Sequence, residues 1–163
     1  MDVQFAPWRM AYIKGEKAKG CVFCKEEARE DDLLLWEGTT CLVMLNRYPY
    51  NNGHLLVMPA RHVANLEDLT GEERTELFDL LDRSVRVLRE VLGPEGINVG
   101  INLGRAAGAG VEDHLHIHVV PRWSGDTNSM TVVGGIRVIP DSLTGTRDEL
   151  KPCFEKAASG GVR

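Results

Sequence analysis

The 163-residue chain has no long apolar run, no excess of basic charge and very little histidine or cysteine. A membrane-spanning helix needs about 18 consecutive apolar residues. No stretch supplies them, which excludes a transmembrane role. The opening residues lack the continuous apolar core and small-residue cleavage site of a secretory signal, so a cytoplasmic location is expected. With 19 Lys and Arg against 24 Asp and Glu, the net charge is −5. That balance argues against nucleic acid as a partner, because nonspecific binding rests on clustered cations that neutralise phosphates. Internal repeats, low-complexity tracts and linker-like stretches are also missing, and the length suits one core better than two. A single domain over 1–163 is expected.

Four cysteines do not make a disulfide framework in a chain of this size without a secretory signal. Cys21 and Cys24 form a C-x-x-C, and Cys41 and Cys153 stand apart. A redox dithiol belongs at a strand-to-helix junction of a parallel βαβ unit, and no such unit surrounds the pair. Two buried thiols without chemistry are the bland reading. Zinc is favoured over both, since C-x-x-C supplies two tetrahedral ligands and leaves two N or S donors to be found elsewhere.

The apolar pattern predicts an α+β fold, with an antiparallel sheet of about five strands, one long helix and a C-terminal extension. Leu33–Trp36 and Thr40–Leu45 read as a hairpin around Glu37-Gly38-Thr39, and His54–Pro59 as a third strand after a turn-rich stretch. Thr70 and Glu73 form a capping box for a helix over Gly71–Leu92, with Leu77, Phe78, Leu81, Val85, Leu88 and Leu92 as its apolar row. Ile97–Leu103 and His114–Pro121 read as the last two strands, joined by a Gly-rich loop over Gly104–Gly110. Thr146 and Glu149 suggest a second capping box for a terminal helix through about Lys156, and Ser159–Arg163 is expected to fray.

Of only five histidines, three occupy alternate positions in His114-Leu115-His116-Ile117-His118. Composition alone gives roughly 0.005 such clusters per chain of this length. On a strand they project to one face, with Leu115, Ile117 and Val119 turned to the core. Ordinary half-buried histidines would be a poor choice there, since Val, Ile or Thr fill such a row without desolvation cost. Two chemical readings remain, a metal site on some of these imidazoles and nucleophilic attack by an imidazole on a phosphate. The Gly-rich loop favours the second, because Gly104, Gly108 and Gly110 allow backbone N–H groups to approach a phosphate. Arg105 and Arg122 stand at the ends of this region as candidate phosphate partners.

The pattern His114-Leu115-His116-Ile117-His118-Val119-Val120 resembles the signature of the histidine-triad (HIT) family. The resemblance extends to Leu45-Asn46-Arg47-Tyr48-Pro49, to Gly53-His54-Leu55-Leu56-Val57 and to Cys21-x-x-Cys24, a motif-bearing core of about 20–123 followed by an extension over 124–163. Phe5-Ala6-Pro7-Trp8-Arg9-Met10, the loop from Asn102 to Gly110, and Pro121-Arg122-Trp123 with Gly125-Asp126 are similar to the diadenosine-polyphosphate hydrolase and phosphorylase branch.

The resemblance implies a HIT-like fold, a homodimer, and a nucleotide-binding hydrolase or transferase. The implied reaction cleaves a dinucleoside polyphosphate, diadenosine tetraphosphate, at its α-phosphate. His116 would form a nucleotidyl-histidine intermediate, with water or phosphate as acceptor. His118 would donate to phosphate oxygens, and His54 would support it. Asn46 would hold the ribose, Asn102 the phosphate, and Gly108, Ala109 and Gly110 the phosphate-binding loop. Zinc-bearing members imply a structural site on Cys21, Cys24, His62 and His114. One position departs from the pattern: many members carry Ser or Thr three residues before the first triad histidine, where this chain has Val111, leaving the proton donor to the leaving group unassigned. A nucleoside 5′-phosphoramidase and a non-catalytic nucleotide-binding module are the alternatives.

Overall fold

Short β-branched and aliphatic runs separated by turn residues become five strands, β1 (Leu34–Glu37), β2 (Cys41–Leu45), β3 (Leu55–Pro59), β4 (Gly96–Ile101) and β5 (Ile117–Arg122). Two long helices among the described residues accompany them, α1 (Gly71–Leu92) and α2 (Leu143–Ser159). They are seen in a computed structural model that describes residues 21–24, 28–29, 31–127 and 138–159. The segment Phe5–Met10 and residues 160–163, part of the tail expected to fray, lie outside the described residues. All strand pairs are antiparallel, in the order β1-β2-β3-β5-β4.

The two faces of the sheet differ. Val43, Leu45, Leu55, Val57, Ile117 and Val119 face α1 and α2 and form the main core with Leu77, Leu80, Val87, Leu88, Leu150 and Phe154. Alternation sends Leu42, Met44, Leu56 and Met58 to the opposite face, where Ala28 and Phe23 pack on them. His118 lies on that second face too, opposite Leu56 on β3 and Gly100 on β4.

The α1 boundaries match the expectation because its cap is local. Thr70 accepts the Glu73 N–H at 3.2 Å while the Glu73 carboxylate accepts the Thr70 N–H at 2.8 Å. Its buried row is Leu77, Leu80, Ser84, Val87 and Leu88, and Phe78, expected inside, is 67% exposed. The helix therefore presents a face rotated from the expected one, with Leu81 and Val85 at its margin. The terminal helix also starts earlier than Thr146. Ser142 Oγ accepts the Gly145 N–H at 3.0 Å, the N-cap pattern. Thr146 instead is buried, with its hydroxyl directed to Asn52 Oδ1 and Asp141 Oδ2.

β5 begins three residues later than expected, at Ile117. Its ladder with β3 covers only Val57↔Ile117 to Leu55↔Val119. Upstream the chain turns to another partner, and the Leu115 N–H donates to Val63 O at 2.7 Å. The alternation nevertheless persists, with Leu115 in the main core beside Ile117 and Val119.

Gly53 places His54 at the start of β3. Its φ is +73°, and a Cβ there would lie 2.4 Å from Leu92 Cδ1. Both the left-handed backbone and the contact penalise a side chain. Gly53→Ala is expected to lower stability by about 1–3 kcal/mol, read as a lower urea midpoint with unchanged slope.

Candidate active site and metal centre

Two adjoining sites are built along the histidine row, and backbone groups orient the imidazoles of both. His116 is 6% exposed, and its Nδ1 lies 2.8 Å from the carbonyl oxygen of His114. A carbonyl only accepts, so Nδ1 carries the hydrogen and Nε2 keeps its lone pair. Burial holds the His116 pKa below the usual imidazole value, against the opposing pull of that carbonyl. The ring is therefore neutral at pH 7 with a free nitrogen, the state a nucleophile requires.

His118 follows on the same face, its ring 4.8 Å from that of His116. Its Nδ1 lies 3.0 Å from Nε2 of the fully buried His54. His54 is held at the base of the β2–β3 connection, where the register Leu45↔Leu55 sets Asn46 across from it and the Asn46 N–H donates to His54 O at 2.8 Å. The Tyr50 N–H donates to His54 Nδ1 at 3.0 Å. Asn102, just after β4, places its amide 3.4 Å from His118 Nε2. Desolvation, then the neighbouring imidazoles, lowers His54 to about 3, and desolvation with His116 lowers His118 to about 4.

Of the expected substrate contacts, Asn46 and Asn102 thus meet the histidines directly. Gly108, Ala109 and Gly110 lie in the β4–β5 loop after a single 3-10 turn over Arg105–Ala107, and Gly108 has φ +91°. The two arginines do not face a phosphate. Arg122 is bound through two nitrogens to Asp126, which it holds down at about 2, and reaches Asn98 as well. Arg105 pairs with Glu112 at 2.6 Å. Two aromatic rings were not legible as site residues: Phe23, 5.2 Å from His116, and Tyr50, stacked on His118 at 5.6 Å. Phe23 could have been suspected from its place inside the C-x-x-C. Nothing in the turn-rich stretch marked Tyr50.

His114 turns to the second site. Its Nε2 lies 2.8 Å from Pro59 O, so Nε2 carries the hydrogen and Nδ1 is left to bind. Nδ1 stands 3.3 Å from Cys21 Sγ and 4.0 Å from Cys24 Sγ, and His62 Nδ1 stands 3.4 Å from Cys24 Sγ. All four donor atoms fall within 4.8 Å of one another. A tetrahedral zinc with ordinary bond lengths separates S and N ligands by about 3.6 Å, so donor set, spacing and tautomer fit a metal. His62 is braced through its neighbour, because Arg61 Nε and Nη2 donate to the buried Glu73 and Arg61 Nη2 also to Asp68 O.

A family model described as HIT domain matches residues 27–125. The chain belongs to the HIT domain family. A protein of Mycobacterium tuberculosis called AP-4-A phosphorylase is 49% identical to this HIT protein over 118 residues, 72% of this chain and 60% of that one. The chain thus spans about 60% of the length of that relative. The asymmetrical bis(5′-nucleosyl)-tetraphosphatase of Schizosaccharomyces pombe is 37% identical over 89 residues, 55% of this chain and 48% of that one. Among solved structures, a Zn-bound histidine triad family protein from Mycobacterium smegmatis superimposes with a TM-score of 0.68 at 31% identity, covering 85% of this chain and 96% of that one. No helix among the described residues is long and apolar enough to cross a membrane.

Unfolded imidazoles titrate near pH 6.5, whereas His54 and His118 stay neutral down to about 3 and about 4. Between those limits the unfolded state binds more protons, so their contribution to stability is complete above pH 6.5 and is lost progressively as pH falls towards 4. The urea midpoint is expected to be lower at about pH 5 than at about pH 7.5, with a shallower difference in His54→Gln. Equal slopes in the two proteins would contradict the buried neutral state of His54.

Proposed function

We propose that this HIT protein cleaves a dinucleoside polyphosphate, diadenosine tetraphosphate in particular, through a nucleotidyl intermediate on His116. The observation that carries the reading is the carbonyl of His114 on His116 Nδ1, which leaves Nε2 as a lone pair among donor groups. The name of the M. tuberculosis relative supports the substrate. In the first step His116 Nε2 bonds to the α-phosphorus and the bond to the leaving polyphosphate breaks. His118 and Asn102, adjoining at 3.4 Å, donate to the nonbridging oxygens, where charge develops. The Gly108–Gly110 loop would border the same phosphate, with the Gly108 and Ala109 N–H groups turned back onto Arg105 O at 3.0 Å and Gly104 O at 3.4 Å in this structure. His54 holds His118, and Asn46, which lies beside both, meets the ribose. Water or inorganic phosphate then displaces Nε2.

Cys21, Cys24, His62 and His114 would hold zinc in this reading. Bound there, the metal would supply a closed tetrahedral clip that ties the C-x-x-C segment to the histidine row, with no open position for catalysis. The chain acts in the cytoplasm as a single unit over 1–163 and as a homodimer. The edge strand β4 supports the dimer: Gly96–Ile101 contains no charge and no proline, the usual guards of a free edge, and Val99 and Phe78 are 49% and 67% exposed.

His116→Ala is expected to reduce turnover of diadenosine tetraphosphate by about 10⁴-fold or more, and retained activity would sink the mechanism. Product analysis distinguishes the acceptors, since ADP with ATP means phosphorolysis and AMP with ATP means hydrolysis. Preferred turnover of adenosine 5′-phosphoramidate would indicate a phosphoramidase, and binding without turnover a nucleotide-binding module. Removing metal with a chelator is expected to lower the melting temperature. Activity lost with the melting temperature unchanged would contradict a structural site.

A further inference from the structure

Strand β4 alternates strictly. Ile97 and Ile101 pack against the main core, which leaves Gly96, Asn98 and Gly100, followed in step by Asn102, on the other face. The register sets Gly100 directly across from His118 and Asn98 across from Val120, so this sparse row runs beside the histidine row. A glycine inside a strand weakens it, and where neither backbone nor packing demands it, it marks close approach by something outside the strand. Gly100 is demanded by neither. Its φ is not in the left-handed region, and a Cβ built there meets nothing within 4 Å among the described residues. Pairing of the β4 edge with another strand does not require it either. Those hydrogen bonds lie in the plane of the sheet, and a side chain at position 100 would stand perpendicular to it.

The space over Gly100 lies on one flank of the histidine row, and the other flank is filled. Phe23 stands 5.2 Å from His116 and packs on the cluster of Leu42, Met44, Leu56 and Met58. The sheet order β2-β3-β5-β4 puts Asn46, just beyond β2, on that filled side. His116 is 6% exposed, and with Nδ1 committed to the His114 carbonyl its Nε2 has no partner among the described residues. A polar ring so placed calls for a ligand on this face. Two amides border the gap. Asn102 meets His118 Nε2 at 3.4 Å. The exposed Asn98 accepts at Oδ1 from Arg122 Nη1 at 3.1 Å. A guanidinium only donates, so the Nδ2 end of Asn98 remains a donor.

The geometry points to Gly100 as the floor of a seat for the leaving polyphosphate, with Asn102 and Asn98 as donors at its two ends. The assignment rests on the proposed reading, in which the ribose sits at Asn46 and His116 Nε2 bonds to the α-phosphorus. As that bond forms, the bond from phosphorus to the bridging oxygen breaks. Its electron pair leaves on the oxygen, and the departing chain gains one negative charge, which the two amides meet. Asn98 stands about 13 Å from Asn102 along the strand. A chain of several phosphates fills the seat, and a nucleotide that ends at its α-phosphate leaves it empty. Gly100 is thus a specificity-determining residue, selecting for phosphates beyond the one attacked.

The test compares fold, binding and turnover in Gly100→Val, Gly100→Ala and Asn98→Asp. Valine suits an exposed strand position better than glycine, so Gly100→Val is expected to keep or raise the melting temperature. It should nevertheless lower kcat/KM for diadenosine tetraphosphate about 100-fold, and Gly100→Ala about tenfold. By titration calorimetry the parent is expected to bind ATP at least about tenfold tighter than AMP. Gly100→Val should bind AMP as the parent does and lose the ATP advantage. Asn98→Asp sets a carboxylate against the chain, and its loss should grow from diadenosine triphosphate to the pentaphosphate. A parent without the ATP advantage, unchanged turnover in Gly100→Val, or equal losses for AMP and ATP overturns the seat. So does a changed oligomeric state in Gly100→Val with the ATP advantage intact, which gives the gap to a second copy. If diadenosine tetraphosphate is not turned over although the ATP advantage is present and vanishes in Gly100→Val, the proposed reaction fails and the seat stands.

Discussion

A neutral imidazole has two nitrogens and one hydrogen, so whatever holds one nitrogen decides what the other can do. In this chain the holders are backbone groups. A carbonyl on His116 Nδ1 leaves a lone pair on Nε2, and a carbonyl on His114 Nε2 leaves Nδ1 facing two thiols. A peptide N–H on His54 Nδ1 leaves its Nε2 to donate. Two members of the row and the buried His54 behind it thereby acquire three different chemistries. Burial enforces the assignment, since desolvation is the largest influence on each of these imidazoles and disfavours the charged form that would erase the distinction.

The break in the β3–β5 ladder makes the assignment geometrically available. Had β5 paired with β3 along its whole length, the Pro59 carbonyl would have been taken by a strand partner. It meets the His114 ring instead, and the His114 carbonyl meets the His116 ring. The metal cluster and the reactive row therefore share one stretch of chain. Phe23, between the two cysteines, lies against both His114 and His116, so a metal on the cysteines also sets a wall of the reactive site. On its far side the cluster reaches α1 through Arg61 and Glu73, and the Arg61 guanidinium keeps the Glu73 carboxylate below its ordinary pKa.

Arginine plays a bracing role around the site. Arg122 and Asp126 join the end of β5 to Asn51 in the β2–β3 connection, which holds the loop bearing Tyr50 against the sheet. Asp126, committed as an anion, is the second half of that brace. With Arg105 and Arg122 taken up in ion pairs, the donors beside His116 are imidazole and carboxamide groups, the kind of local donors through which a negatively charged chain would meet the phosphate proposed for it.

Local signals carried much of this. The capping box at Thr70 and Glu73 and the Gly93-Pro94 stop delimit α1 because caps depend on neighbours within one turn. Alternation around His114 to His118 placed the histidines on one face and Leu115, Ile117 and Val119 on the other, and C-x-x-C marked two metal ligands. Tertiary packing decided the rest. It rotated the buried face of α1 away from Phe78 and moved the α2 cap to Ser142 by burying Thr146. It also turned Arg105 and Arg122 from expected phosphate partners into ion pairs, because the course of the loops on either side of the histidine row brings Glu112 and Asp126 against their guanidinium groups. The sequence by itself determined that three imidazoles stand in a row. Which nitrogen of each is free was decided only by the fold: His114 is held by a carbonyl 55 residues away and His118 by an imidazole 64 residues away, while His116 depends on how the chain turns at His114, and no side-chain pattern records where the backbone will pass.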